Sequence, residues 1–318
     1  MSVSSKVLIT GATGFIGRHL CRLLVDQGMS VRAVTRGPTG CVEGVEYRRG
    51  DLHDEHFLRA SLEGIDCVVH LAGRAHILNK KNDASILYRQ TNHDLTLRVA
   101  KRALSCGVKR FVFLSTIGVN GKTTVHKRFD EVCAVNPLAD YAISKYDAEV
   151  SLQGLLASES MDWVIIRPPL VYGADAPGNF KTLLRVVHRG LPSPFMLVKN
   201  ARSIISVDNL NRFIAMTVES PDASRQVFLV SDGADISTHE MLRALSCGME
   251  RRFLSVPIPG FILGIASALI GKQELYTQLC GSLTVDCSKA QALGYQPHSD
   301  TYSALVEVGK TYASAVHR

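Results

Sequence analysis

A β-forming apolar run, Lys6 to Thr10, passes straight into Gly11-Ala12-Thr13-Gly14-Phe15-Ile16-Gly17, and an amphipathic helical stretch follows to about Gln27. Glycines three apart let a chain turn tightly and bring its backbone close to a ligand. The unpaired N–H groups at the start of the helix then suit the charge of a pyrophosphate. A glycine triplet alone is equally a plain structural turn. Here the strand before it and the helix after it turn the triplet into a phosphate loop.

The same rhythm continues. Lys6–Thr10, Ser30–Thr35, Val45–Arg49, Asp66–Leu71, Arg110–Ser115 and Asp162–Arg167 read as strands, separated by stretches long enough for helical crossovers. Runs such as Val68-Val69 and Phe111-Val112-Phe113-Leu114 are apolar on both faces, as strands in the middle of a parallel sheet must be. The expected fold is therefore α/β, a doubly wound parallel (Rossmann) sheet with a smaller C-terminal substrate-binding lobe. After Pro168-Pro169 the chain breaks into Gly- and Pro-punctuated pieces, then one more strand, Gln226–Ser231, then helical material. Residues 1–168 are assigned to the dinucleotide-binding domain, with a return strand at about 204–231, and 169–318 mainly to the lobe.

Composition narrows the partners. With 36 Lys+Arg against 29 Asp+Glu the net charge is +7, which suits a phosphate-bearing ligand. No run of five to eight basic residues occurs, so no nucleic-acid stripe is indicated. The eight cysteines, Cys21, Cys41, Cys67, Cys106, Cys133, Cys247, Cys280 and Cys287, include no C-x-x-C pair and no zinc-ligand spacing. They read as buried thiols in a reducing compartment. No secretory signal pattern opens the chain, and a cytoplasmic location is expected. Phe261 to Ile270 carries no charge, yet spanning a bilayer takes about 20 residues. It is expected to be a core-facing helix, with an interfacial membrane contact as the alternative and no stable membrane insertion.

Cofactor choice depends on the end of the second strand. An acidic residue there holds the 2′-hydroxyl of NAD, whereas an Arg accepts the 2′-phosphate of NADP. The strand ends Val34-Thr35-Arg36, and no Asp or Glu lies between Gln27 and Val42. NADP(H) is favoured and NAD(H) remains possible, with Arg36 otherwise a solvated strand-end charge. Asp51-Leu52 after the third strand is placed to reach the adenine. Leu71-Ala72-Gly73 after the fourth lets the chain pass close to the cofactor.

Tyr141 and Lys145 are four residues apart, hence on one face of a helix, where an ammonium lowers the pKa of a phenol from its usual ~10. A tyrosine so tuned exchanges protons near neutrality. The ordered set of Gly11-x-x-Gly14-x-x-Gly17, Leu71-Ala72-Gly73, Ser115-Thr116, Tyr141-Ala142-Ile143-Ser144-Lys145 and Arg167-Pro168-Pro169-Leu170-Val171-Tyr172-Gly173 resembles the extended short-chain dehydrogenase/reductase family. Arg202 to Leu210 is similar to its nucleotide-sugar branch, which includes the UDP-glucose 4-epimerases.

The resemblance implies the roles. Tyr141 gives or takes the proton of the substrate hydroxyl or ketone, Lys145 supports it and the nicotinamide ribose, and the Thr116 hydroxyl polarises the oxygen. Ser115 is the neighbouring hydroxyl, alternatively a strand-end hydrogen bond. Thr13, Phe15, Ile16 and Pro168 join the glycines around the cofactor. Asn179, at the start of a helix over Asn179–His188, and Arg202 grip the nucleotide diphosphate; the alternatives are a helix cap and a surface ion pair. Lys181 and Arg185 are further candidates. Dehydratases of the family carry an Asp-Glu pair after the hydroxyl residue. Here Ile117-Gly118 stands in that place, which argues against loss of water.

The stretches Pro257–Lys272, Leu279–Cys287 and Leu293–Pro297 most resemble bacterial reductases of 4-keto-6-deoxy nucleotide sugars that feed O-antigen synthesis, UDP-N-acetylquinovosamine dehydrogenases among them. The expected activity is NAD(P)H-dependent reduction of the C4 ketone of a UDP-4-keto-6-deoxy-N-acetylhexosamine. The rivals are a UDP-hexose 4-epimerase with tightly bound NAD, a non-catalytic NADP-sensing protein, and a ketone reductase of the steroid or flavonoid type. A UDP-sugar substrate and a homodimer are the expected partners, with no metal.

Overall fold

The computed structural model describes residues 5–37, 42–74 and 84–316. In chain order the elements begin with β1 (Lys6–Thr10), α1 (Phe15–Asp26), β2 (Ser30–Thr35), β3 (Val45–Arg49), α2 (Glu55–Leu62) and β4 (Cys67–His70). Next come α3 (Ala84–Tyr88), a π-helical turn over Arg89–Asp94, α4 (Leu95–Ser105), β5 (Arg110–Leu114), α5 (Asp140–Leu155) and β6 (Asp162–Arg167). Then follow β7 (Leu170–Tyr172), α6 (Gly178–His188), β8 (Ile204–Ser206), α7 (Val207–Glu219), β9 (Gln226–Leu229) and α8 (Thr238–Gly248). The chain finishes with α9 (Gly260–Leu269), α10 (Gln273–Cys280), α11 (Ser288–Ala292) and α12 (Thr301–Val316).

Two compact units result. The first comprises Met1–Val119, Val135–Arg167 and Leu210–Phe228; the second comprises Asn120–Ala134, Pro168–Asn209 and Leu229–Arg318. The second unit thus takes up residues 120–134, which the sequence places before the boundary at 168. The expected return strand is in fact three elements, β8, α7 and β9, because Val207–Glu219 has helical periodicity and buries one face.

The first unit is built on a seven-stranded sheet of order β3-β2-β1-β4-β5-β6-β9. The pairs from β3 through β6 are all parallel. Leu8 joins a core with Leu58 and Leu62 of α2, Val99 of α4 and Leu152 of α5. Side chains alternate along a strand, so Val7 and Ile9 face the other side, and both are fully buried. The strand is covered on both faces, as its uninterrupted apolar run requires. Sequential connections reverse direction between β1 and β4, which makes the carboxyl ends of these strands the crevice of the sheet.

In the second unit β7 and β8 form a parallel pair. Helices α8 and α12 cross where glycines replace side chains: a Cβ on Gly248 would lie 1.8 Å from the Val306 carbonyl oxygen, and one on Gly309 would lie 2.4 Å from that of Leu245. Buried Tyr172 donates to Asp232 at 2.6 Å, and the same carboxylate accepts from Asn209 and the Ser206 N–H, so no polar atom of this cluster is buried without a partner. Of the described cysteines, all free thiols, Cys21, Cys67 and Cys287 are buried but Cys247 is exposed, so burial does not extend to every thiol.

The segment expected to face the core does not. Helix α9 has no buried residue, and Phe261, Ile265 and Leu269 are 69%, 59% and 82% exposed. No helix among the described residues is long and apolar enough to cross a membrane.

Candidate active site

Loops after β1, β4 and β5 converge with the first turn of α5. Gly11 has φ +71°, and a Cβ there would come within 2.8 Å of the Leu71–Ala72 peptide. Any side chain would both strain this backbone and collide with the chain leaving β4. Gly17 seats α1 on the loop, since its Cβ would lie 2.3 Å from the Gly11 carbonyl oxygen. Gly14 begins α1 in an extended conformation, with no side-chain cap and no acidic residue in the first turn. Thr13 and Gly14 are exposed, while Phe15 and Ile16 are half-buried in the turn that follows. Backbone N–H groups at a helix start, with no carboxylate nearby, form a donor set that fits a pyrophosphate.

Gly73 opens the next space. A Cβ on it would stand 2.9 Å from Asn92 Oδ1 and 3.3 Å from Lys145 Nζ. Lys145 is buried, donates from Nζ to the Leu114 carbonyl at 2.9 Å, and stands 4.5 Å from the centre of the Phe113 ring. Its ammonium therefore sits where the ends of β4 and β5 meet. Burial pulls its pKa down to about 8, against the opposing attraction of Glu149.

Tyr141 occupies the first turn of α5, with its ring 6.0 Å from that of Tyr88. The sequence-based expectation of a lowered phenol pKa is not met. Burial pushes Tyr141 up to about 12, and Tyr88 adds to the shift. Lys145 is held against Leu114 and the Phe113 ring, so desolvation of the phenolate dominates. In the free protein Tyr141 is a phenol at neutral pH, a proton donor.

Ser115 is buried, and among the described residues its Oγ has no hydrogen-bond partner, so the strand-end bond considered for it is not made there. Thr116 is half-buried, and its Oγ1 accepts from the Gly118 N–H at 3.2 Å. A Cβ on Gly118 would lie 3.3 Å from the Ala142 methyl, which brings the turn after Thr116 against the Tyr141 turn.

Sequence reasoning passed over Asn92. Fully buried in the π-helical turn, it accepts from the Arg74 N–H at 2.8 Å and donates to the Arg74 carbonyl and to Ser144 Oγ. Ser144 in turn donates to the Tyr141 carbonyl at 2.8 Å. Asn92 thus ties the chain after Gly73 to the turn that carries Tyr141. An amide within an otherwise amphipathic helical pattern was the only signal for it.

Arg36 is exposed at the end of β2 and lines an open cleft with Arg74, Arg98 and Lys101. Asp51 is exposed and accepts from the His53 N–H, whereas Leu52 is drawn into the core. Only Asp51 of that pair remains available to a nucleotide.

The remaining candidates belong to the second unit. Pro168 is buried at its start. Asn179 is exposed and donates to Gln278 at 2.8 Å instead of capping α6. Arg202 is half-buried, pairs by its backbone with Ile236, and donates to the Gly281 carbonyl at 3.0 Å. It makes no ion pair among the described residues, and burial lowers its pKa. Both side chains reach toward α10 and its C-terminal end. Lys181 and Arg185 are exposed on α6.

The parallel sheet, its glycine-built crevice and the tyrosine–lysine pair define a dinucleotide-dependent enzyme of the extended short-chain dehydrogenase/reductase type. A sequence profile described as the NAD dependent epimerase/dehydratase family matches residues 7–231, and the chain belongs to that family. It is 36% identical to a UDP-glucose 4-epimerase of Vibrio cholerae, over 98% of this chain and 97% of that protein. The solved UDP-glucose 4-epimerase of Thermotoga maritima with UDP-glucose superposes with TM-score 0.78 at 22% identity, covering 98% of this chain and 100% of that one. The Thermus thermophilus UDP-glucose 4-epimerase in complex with NAD gives TM-score 0.78 at 22% identity, over 97% of this chain and 99% of that one.

Proposed function

We propose that the protein is a 4-epimerase of a UDP-hexose, with Tyr141 as the proton-transferring group. The placement of Tyr141 one turn before Lys145, with the Ser115 and Thr116 hydroxyls at the adjoining strand end, carries this reading. The likeness to the Vibrio cholerae enzyme along nearly the whole chain supports the substrate class. Tyr141 would take the proton of the C4 hydroxyl on oxidation to the 4-ketone and return a proton to that oxygen on reduction. A bound nicotinamide supplies the hydride acceptor and donor, and its oxidised form the positive charge that favours the phenolate. Thr116 holds the C4 oxygen, and Lys145 holds the ribose. No acid–base pair for eliminating water follows Thr116, since Ile117 and Gly118 stand there.

A second reading, NADPH-dependent reduction of a UDP-4-keto-6-deoxyhexosamine, is favoured by one observation: Arg36 stands at the end of β2 in the place of the usual acid and shares a cleft with Arg74 and Lys101, while Glu55 in the same cleft is paired with Arg98. The two are separated by incubating the protein with UDP-glucose, and in parallel with a UDP-4-keto-6-deoxy-N-acetylhexosamine and NADPH. Conversion of UDP-glucose to UDP-galactose with no net change in reduced nicotinamide supports epimerase action. Stoichiometric loss of NADPH, with no action on UDP-glucose, supports the reductase. In the second case Arg36→Asp should weaken NADPH use at least about tenfold relative to NADH.

A further inference from the structure

Helix α9 and the segment leading into it form a face that the fold does not cover. One side of α9 is satisfied: Gly264 packs against Tyr276 of α10, where a Cβ would meet the ring at 3.4 Å. The other side is a stripe. Phe261, Ile265 and Leu269 recur every four residues, hence on one face, and all are exposed, as is Ile270 beyond them. The helix ends cleanly at Gly271, whose φ of +65° lets the Lys272 N–H reach the Ser267 carbonyl at 2.8 Å. The apolar stripe is therefore presented by a well-formed helix. A loop carrying exposed Met196 and Leu197 is tied to the segment before α9 through backbone bridges at Ser193–Ser255 and Phe195–Pro257.

The segments flanking this helix along the chain are basic. Arg251 and Arg252 precede α9, Lys272 follows it and Lys199 closes the loop, all exposed. No Asp or Glu occurs from 251 to 273 or from 189 to 199. Glu250 and Glu274 lie just outside. None of the four cations is in an ion pair with a carboxylate among the described residues. An exposed apolar stripe flanked along the chain by exposed cations complements one kind of surface, an anionic bilayer, where the stripe enters the headgroup boundary and the cations meet phosphate. A second copy of the chain is less well matched. A ten-residue helix has a footprint of roughly 15 Å by 10 Å, against the ~800 Å² each partner contributes to a standard interface.

We propose that α9, with the loop tied to it, docks the protein peripherally on anionic membranes, lying in the interface without crossing it. The full-length protein is to be sedimented with vesicles of phosphatidylethanolamine and phosphatidylglycerol, and with vesicles of phosphatidylcholine alone. Binding to the first, weaker binding to the second and weakening by salt are expected. The double variant Phe261→Glu/Ile265→Glu should lose roughly a hundredfold in partitioning, from two large apolar side chains that no longer bury. Arg251→Ser/Arg252→Ser should lose roughly fivefold per cation. All four side chains lie outside the proposed active site, so unfolding temperature and sugar turnover in solution should match the unmodified protein. Absence of vesicle binding, or binding that the Phe261→Glu/Ile265→Glu variant retains, overturns the proposal. So does an oligomer by light scattering that this variant dissociates, because a second copy would then be the occupant.

Discussion

The carboxyl edge of the sheet and the α9 segment are both short apolar stretches punctuated by glycine, and they end in opposite environments. At the sheet edge every glycine that shapes the crevice meets backbone or a functional side chain: Gly11 the Leu71–Ala72 peptide, Gly17 the Gly11 carbonyl, Gly73 both Asn92 and Lys145. In α9 the glycines seat Tyr276 on one side only, and the large side chains on the other side meet solvent. Apolar sequence thus specifies an element and its tight contacts. Whether its outer face is covered depends on what the rest of the chain brings over it.

The contrast can be broken at its strongest point by Tyr141→Phe. The ring keeps its packing near Tyr88 but loses its proton, so turnover should fall by about 10²–10⁴ while nucleotide binding and unfolding temperature hold. Next in size is Glu149→Gln. Glu149 and Arg167 are both buried and paired, with two contacts from Arg167 Nε at 3.0 and 3.1 Å. Removing the carboxylate should cost about 3–5 kcal/mol, read as a lower urea midpoint.

His70 gives a pH-dependent version of the same contrast. It is fully buried at the end of β4, with Nδ1 2.8 Å from Thr10 Oγ1 and its ring beside Phe111 and Phe113. Burial lowers its pKa from 6.5 to about 3, and Lys145 adds to the shift. The folded state therefore binds this proton less readily than the unfolded chain does. Its contribution to stability is whole above pH 6.5 and is lost as pH falls toward 3, at up to about 1.4 kcal/mol per pH unit. His70→Leu should flatten that part of a stability–pH curve measured by urea unfolding. The smallest effect belongs to the exposed face. Leu269→Ser, at a side chain 82% exposed, should change stability in solution by no more than about 0.5 kcal/mol. A larger loss would mean that something does cover α9.

Much of the first unit was legible because its constraints are local. A strand buried on both faces needs an unbroken apolar run, and a phosphate loop needs glycine where backbone meets backbone, so β1 to α1 and the order of strands could be read directly. Tyr141 and Lys145 were legible from helical spacing. Their pKa values were not, because the carbonyl of Leu114 and the ring of Phe113, which hold Lys145, come from another element. Asn92 escaped notice for the same reason, its partners Arg74 and Ser144 lying 18 and 52 residues away. Leu52 was read as a nucleotide contact, and the core claimed it. Asn179 and Arg202 bond to Gln278 and Gly281, residues whose proximity no local pattern announces.

The most direct test is to supply UDP-glucose carrying deuterium at C4 and to examine the epimerised product. Hydride that leaves and returns within one active site keeps the label, so UDP-galactose bearing deuterium at C4 is predicted, formed far more slowly by Tyr141→Phe. Product with hydrogen at C4, the label having passed to solvent or to added nicotinamide, would contradict the account, as would a Tyr141→Phe enzyme of unchanged rate.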